Sequence, residues 1–173
     1  MKKGFTLIEI VIYIGILGII VSIVASILLW VVNSNVKVKA MRDVLANGRR
    51  AIAIMSHEIK EAKGIYFPTT TSTQISLETS EHVPQGENMS YLDFFLCGQG
   101  NATNTLCVKK ESVSPYALTS ETVEIRNLMF SLVYSSTTPS LGITLEIRYK
   151  NPNNRSERQA SVILNSTVLS RGY

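Results

Sequence analysis

The sequence predicts an α+β fold: a long amino-terminal helix, membrane-spanning in its first half and amphipathic in its second, packed on an antiparallel β-sheet. Three observations carry this expectation. From Ile10 to Val32 run 23 residues without a charge. As a helix this stretch is ~35 Å long, enough to cross a hydrocarbon core of ~30 Å. Apolar or small residues then recur three or four apart at Met41, Val44, Leu45, Gly48, Ile52, Met55, Ile59 and Ala62, the spacing of one helical face. Beyond Gly64 the pattern changes to short alternating stretches separated by Pro, Ser and Asn, which reads as strands and turns.

Taken in chain order, the periodicity predicts one nearly continuous helix from about Phe5 to Lys63, loosened around Asn33-Ser34-Asn35. Gly64 is placed to end it in a left-handed conformation. Gln74–Glu78 alternates weakly. Tyr91–Leu96 and Leu106–Lys109 flank a loop of Gly, Asn and Thr and read as a hairpin. Thr122–Tyr134, Gly142–Tyr149 and Gln159–Leu169 are longer strand candidates, joined by Ser135–Leu141 and Asn151–Glu157. The sheet they form is expected to lie on the second half of the helix, so that each buries the other's apolar face.

A chain of 173 residues has room for one modest domain and an anchor. Its net charge of +4 is mild. The basic residues gather at Lys2-Lys3, between Lys37 and Arg50, and near Arg155–Arg158. No aromatics interleave with them as a base-stacking surface requires, so they read as membrane-flanking and solvated positions. Cys97 and Cys107 suggest one local disulfide closing the hairpin in an exported domain. A zinc site would need two further ligands, and only His57 and His82 are at hand. No metal or cofactor is expected. The Gly98-Gln99-Gly100 stretch lacks the third glycine and the strand–helix setting of a dinucleotide fingerprint. No nucleophile elbow occurs, His57 reads as a helix-surface residue, and Glu78, Glu81 and Glu87 read as loop charges. Four glycosylation-type sequons, beginning at Asn88, Asn101, Asn154 and Asn165, carry no assigned function.

The amino end is the informative part. The apolar run is too long for a secretory h-region and continues past its only small residues, Ala25 and Ser26. No cysteine near the start supports a lipid anchor. Glu9 stands inside the apolar stretch Phe5–Val32, where a carboxylate costs ~2.5–3.5 kcal/mol near the bilayer centre and less toward the interface. The start reads Met1-Lys2-Lys3-Gly4-Phe5-Thr6-Leu7-Ile8-Glu9. This resembles the prepilin signature of the type IV pilin and type II secretion pseudopilin superfamily: a short basic leader ending in Gly, then Phe-Thr-Leu-Ile-Glu.

The resemblance implies that a prepilin peptidase cuts after Gly4 and methylates the new amino group of Phe5, and that Glu9 serves assembly. It divides the chain into a leader at 1–4, a transmembrane assembly helix at 5–32, an amphipathic half at 33–63 and an extracytoplasmic β-rich domain at 64–173. Arg49–Ala62 and Val123–Phe130 look like segments of W-type minor pilins and J-type minor pseudopilins, and the absence of proline through Ser26 leans the same way. The implied partners are the membrane, the peptidase, other pilin or pseudopilin subunits and an assembly platform protein, with nucleic acid only in a DNA-uptake system. The implied location is the cytoplasmic membrane, single-pass with the carboxy-terminal domain outside, then a surface filament. A count of Lys and Arg beside the span favours the reverse orientation; the leader resemblance and the cysteine pair outweigh it. The competing class is an uncleaved, single-pass binding or sensory protein. An enzyme has no support in the sequence.

Overall fold

Leu7–Glu61 form one α-helix, α1, of 55 residues, ~80 Å from end to end. The computed structural model describes residues 6–81, 83–98, 104–134, 139–151 and 153–169. No proline interrupts α1, and the expected loosening at Asn33-Ser34-Asn35 does not occur. The next residues return to the three-four periodicity, so continuing the helix costs less than breaking its hydrogen-bond ladder there. Phe5, the expected first residue, lies outside the described residues.

The far end departs from expectation. Ala62 caps α1 in an extended conformation, with φ −63° and ψ 140°. The Lys63 amide then donates to the Glu78 carbonyl at 2.8 Å. Gly64 is the first residue of a strand, β1 (Gly64–Ile65), rather than a left-handed cap. Glu78 sits opposite it in β2 (Ile75–Thr79). Pairing with a strand therefore captures the chain before a left-handed turn is needed. Glu78 is accordingly a strand residue, not the loop charge expected.

The strands make two antiparallel sheets where one was expected. The first runs β1, β2, β3 (Ser90–Cys97), β4 (Thr105–Lys110) and β5 (Tyr116–Ala117). The second runs β6 (Val123–Tyr134), β7 (Pro139–Tyr149) and β8 (Ser161–Leu169). Pro139-Ser140-Leu141, expected in a turn, begin β7; residues 135–138 lie outside the described part. The first sheet ends on β5, only two residues long. The first sheet reaches the β6 edge through isolated loop bonds, Ile125 N to Asn104 O and Phe130 N to Ser72 O, each 2.8 Å. Arg126 is the extra residue of a bulge between Ile125 and Asn127, and it points to solvent.

Cys97 and Cys107 are joined in a disulfide, Cα atoms 5.8 Å apart. Cys107 stands opposite Phe95 and Cys97 opposite Thr105, so the bridge runs diagonally across the β3–β4 hairpin, as the cysteine spacing suggested. The intervening residues 99–103 are outside the described part.

The core lies between the second half of α1 and the inner sheet faces. Ala40, Val44, Gly48, Ala51, Met55 and Ile59 are buried, at steps of four, four, three, four and four, and α1 rests chiefly on β8 and β7. Met41, expected in this stripe, is 38% exposed, and Leu45 and Ile52 are half-buried; Ala40 and Ala51 hold the centre instead. Small residues win because the helix lies close to the sheet. A Cβ on Gly48 would stand 2.6 Å from Leu164 Cδ1 and 3.3 Å from Ile147 Cγ2. Leu164 is half-buried, whereas Ile147 is fully buried. Among the described residues, every buried side-chain N or O atom has a hydrogen-bond partner.

Two stability tests follow from this packing. Gly48→Leu should lower unfolding free energy by about 1–3 kcal/mol through overpacking, while Gly48→Ala should change it less, since helix propensity offsets part of the clash. Urea unfolding followed by near-ultraviolet circular dichroism measures both; equal effects would contradict the close approach. Replacing Cys97 and Cys107 by Ser should cost roughly 2–3 kcal/mol, the value for a loop of this size. Reduction of the wild-type chain should give the same shift in urea midpoint.

Candidate functional site

The amino end of α1 is built by a local capping arrangement. Thr6 is the N-cap residue, in extended geometry. Its Oγ1 accepts from the Glu9 amide at 3.4 Å, and its carbonyl accepts from the Glu9 and Ile10 amides at 3.1 and 3.3 Å. Thr6 and Glu9 thus stand in the Thr-x-x-Glu relation of a capping box, with the acid in the first turn, where the helix dipole favours negative charge. The sequence contained this signal three residues apart, ahead of an apolar run, and the expectations for Glu9 left it out. The cap gives Glu9 a local reason to be where it is. It does not neutralise the carboxylate, and among the described residues no cation forms an ion pair with it. Gly4 and Phe5 lie outside the described residues.

From Leu7 through Val32 the helix has no protein cover. Leu7 is 82% exposed and Trp30 71%, and no part of the most apolar 18-residue window is buried. An aqueous surface of that kind is not tolerable, so lipid or other apolar helices must cover it. The serine hydroxyls in the span are already satisfied: Ser22 Oγ donates to the Gly18 carbonyl and Ser26 Oγ to the Ser22 carbonyl, each at 2.8 Å. Such back-bonding removes the cost of a polar group in hydrocarbon. The helix backbone satisfies itself likewise.

The folded domain is held to the second half of α1 by directed bonds as well as by the core. The Asn47 side chain accepts from the Ser120 amide at 2.9 Å, and Glu58 pairs with Lys110 on β4 at 3.6 Å. Because both groups lie on one flank of α1, the domain is fixed in rotation about the helix axis. The domain is therefore seated on the same helix that carries the bare apolar segment.

Elsewhere the structure shows polar surface rather than converging chemistry. Glu124 is held between Arg148 and Arg126 on the outer face of the second sheet. Tyr66 and Tyr91 pack with ring centroids 4.9 Å apart. Burial, and then the nearby Glu78 carboxylate, push the Tyr91 phenol above its ordinary range. The Glu157 carboxyl lies below its usual range, chiefly through its own backbone amide and the Ser156 hydroxyl. His57 is exposed on α1, as expected, and His82 is outside the described residues. Among the described residues no three His, Cys, Asp or Glu side chains gather to hold a metal.

No curated protein and no solved structure matches the chain. Residues 1–25 match the family described as the prokaryotic N-terminal methylation motif. That match spans the basic start of the chain, the Thr6–Glu9 cap and the start of the uncovered helix, and stops well short of the folded domain. The chain therefore carries the amino-terminal methylation motif of type IV pilins and pseudopilins, set on a single apolar helix that continues into an α+β, pilin-like domain.

Proposed function

We propose that this chain is a structural subunit, of the minor kind, of a type IV pilus or a type II secretion pseudopilus. The observation that supports it is the coincidence of the methylation motif at residues 1–25 with a 55-residue helix whose first half is bare. A prepilin peptidase cuts between Gly4 and Phe5, where the absence of a Cβ on Gly4 lets a membrane-embedded protease reach the backbone. The same enzyme methylates the Phe5 amine. The subunit waits in the cytoplasmic membrane, single-pass, with residues 64–173 outside. An assembly platform then extracts it, and its apolar half enters a bundle of like helices.

In that bundle Glu9 acquires its partner. Cleavage creates an α-amine that is cationic at neutral pH. The Phe5 amine of a neighbouring subunit then compensates the Glu9 carboxylate in an apolar setting. An unpaired charge there is costly, so the pair selects one axial register. The Thr6 cap keeps the first turn of the helix formed on either side of this exchange.

Two substitutions test the reading. Gly4→Glu should abolish leader removal, leaving the full-length form on a gel of membrane protein; efficient processing of that variant would refute the cut site. Glu9→Ala keeps the backbone amide that Thr6 Oγ1 caps, so it should insert and fold normally yet enter filaments at least about tenfold less, the scale of a stranded partner charge. Sheared filament fractions from cells carrying the rest of the machinery supply the readout. Wild-type incorporation of Glu9→Ala would contradict the pairing.

A further inference from the structure

Strand β8 leaves one long edge of the second sheet open. The Tyr149 amide donates to the Ala160 carbonyl at 2.8 Å, which fixes the phase of the β7–β8 ladder. With the register of that ladder, even-numbered residues of β8 turn their backbone groups toward β7. The odd ones, Ser161, Ile163, Asn165, Thr167 and Leu169, turn theirs outward. Among the described residues nothing bonds to that outward row. Natural edge strands are shielded by charge, proline, a bulge or shortness. β8 is nine residues long, SVILNSTVL, with neither charge nor proline, and it pairs with β7 without a bulge.

The helix supplies a wall along this edge. Asn47 and Glu58 place one flank of α1 toward the first sheet. At about 100° per residue the opposite flank, above and beyond β8, carries Leu45 and Ile52. Both are half-buried. The next row outward on the same flank is basic: Arg42, Arg49 and Lys60, all exposed and none in an ion pair among the described residues. The acids of this half of α1, Asp43, Glu58 and Glu61, fall on the other flank or the back. The open edge is thus bordered by an apolar strip and a basic rim, the elements of a groove that takes an added strand.

We propose that the seam between β8 and α1 is a docking site for an extended, acidic segment of a different polypeptide, which adds to the sheet as a further strand. Its backbone pairs with the outward row of β8. Its inward side chains rest on Leu45 and Ile52 and carry carboxylates to Arg42, Arg49 and Lys60. A second copy of this chain fits poorly. Two copies joined through β8 by a two-fold axis would run their α1 helices in opposite directions, which excludes two anchors inserted alike in one bilayer. A head-to-tail copy would need another long free edge, yet the first sheet ends on β1 and β5, two residues each. Loop bonds at Ile125 and Phe130 interrupt the outer edge of β6.

The test uses the full chain in detergent micelles and a fluorescent nine-residue probe peptide of alternating Val/Thr and Glu, with a Lys-for-Glu counterpart. The acidic probe should bind with a submillimolar Kd, and the basic one at least about tenfold more weakly. Asn165→Pro removes only an outward amide, which an edge strand tolerates. It should weaken the acidic probe at least about tenfold, the worth of one or two lost hydrogen bonds, while unfolding at the wild-type urea midpoint. Arg42→Glu with Arg49→Glu should weaken it comparably. Absence of submillimolar binding, equal binding of both probes, or wild-type binding by either variant would overturn the proposal. Self-association of the chain alone that Asn165→Pro abolishes would assign the edge to a second copy and overturn it equally.

Discussion

The structure depends on a single unbroken hydrogen-bond ladder along α1. A backbone crossing a bilayer has no water to fall back on, so the ladder must be complete through the span. The same ladder then carries the wall of a water-soluble core. Anything that broke it between Val32 and Ala40 would uncouple the anchor from the domain. The sequence avoids proline throughout and satisfies the serine hydroxyls of the span within the helix itself. The result is one continuous helix whose lower half is defined by what it lacks, protein cover, and whose upper half is defined by close packing.

That close packing sets the character of the domain. The buried stripe of α1 narrows to Gly48 at its centre, so the side chains of Leu164 on β8 and Ile147 on β7 come close to the helix backbone there. Larger residues at its margins, Leu45 and Ile52, are left half-buried. They are what the periodicity marked as core, and their partial exposure is what leaves an apolar strip beside the open β8 edge. Asn47 and Glu58 on the opposite flank close that side against Ser120 and Lys110. One flank of the helix thus makes directed bonds to the fold, while Leu45 and Ile52 on the other are half-buried.

Much of the architecture was legible in the sequence, because the strongest signals in it are local. A long charge-free run and a three-four periodicity need no tertiary information, and they gave α1 to within a few residues. The alternation of Ile143–Tyr149 and the cysteine spacing located β7 and the bridged hairpin on the same basis. What was not legible depends on partners distant in sequence. Gly64 looked like a helix terminator until its pairing with Glu78 was known. The two-residue strands β1 and β5 have no pattern of their own. The split into two sheets, linked by isolated bonds at Asn104 and Ser72, is announced by no spacing. At the amino end, the Thr6–Glu9 cap was present in the sequence but eclipsed by the stronger resemblance around it.

The central claim is that the chain is anchored by a helix whose first residue is made by cleavage, not by translation. Its most direct test is the intact mass of the chain purified from membranes of a host with a working prepilin peptidase. The account predicts a single species that begins at Phe5 and carries one added methyl group on its terminal amine. A chain that retains Met1 through Gly4 in that host would contradict it.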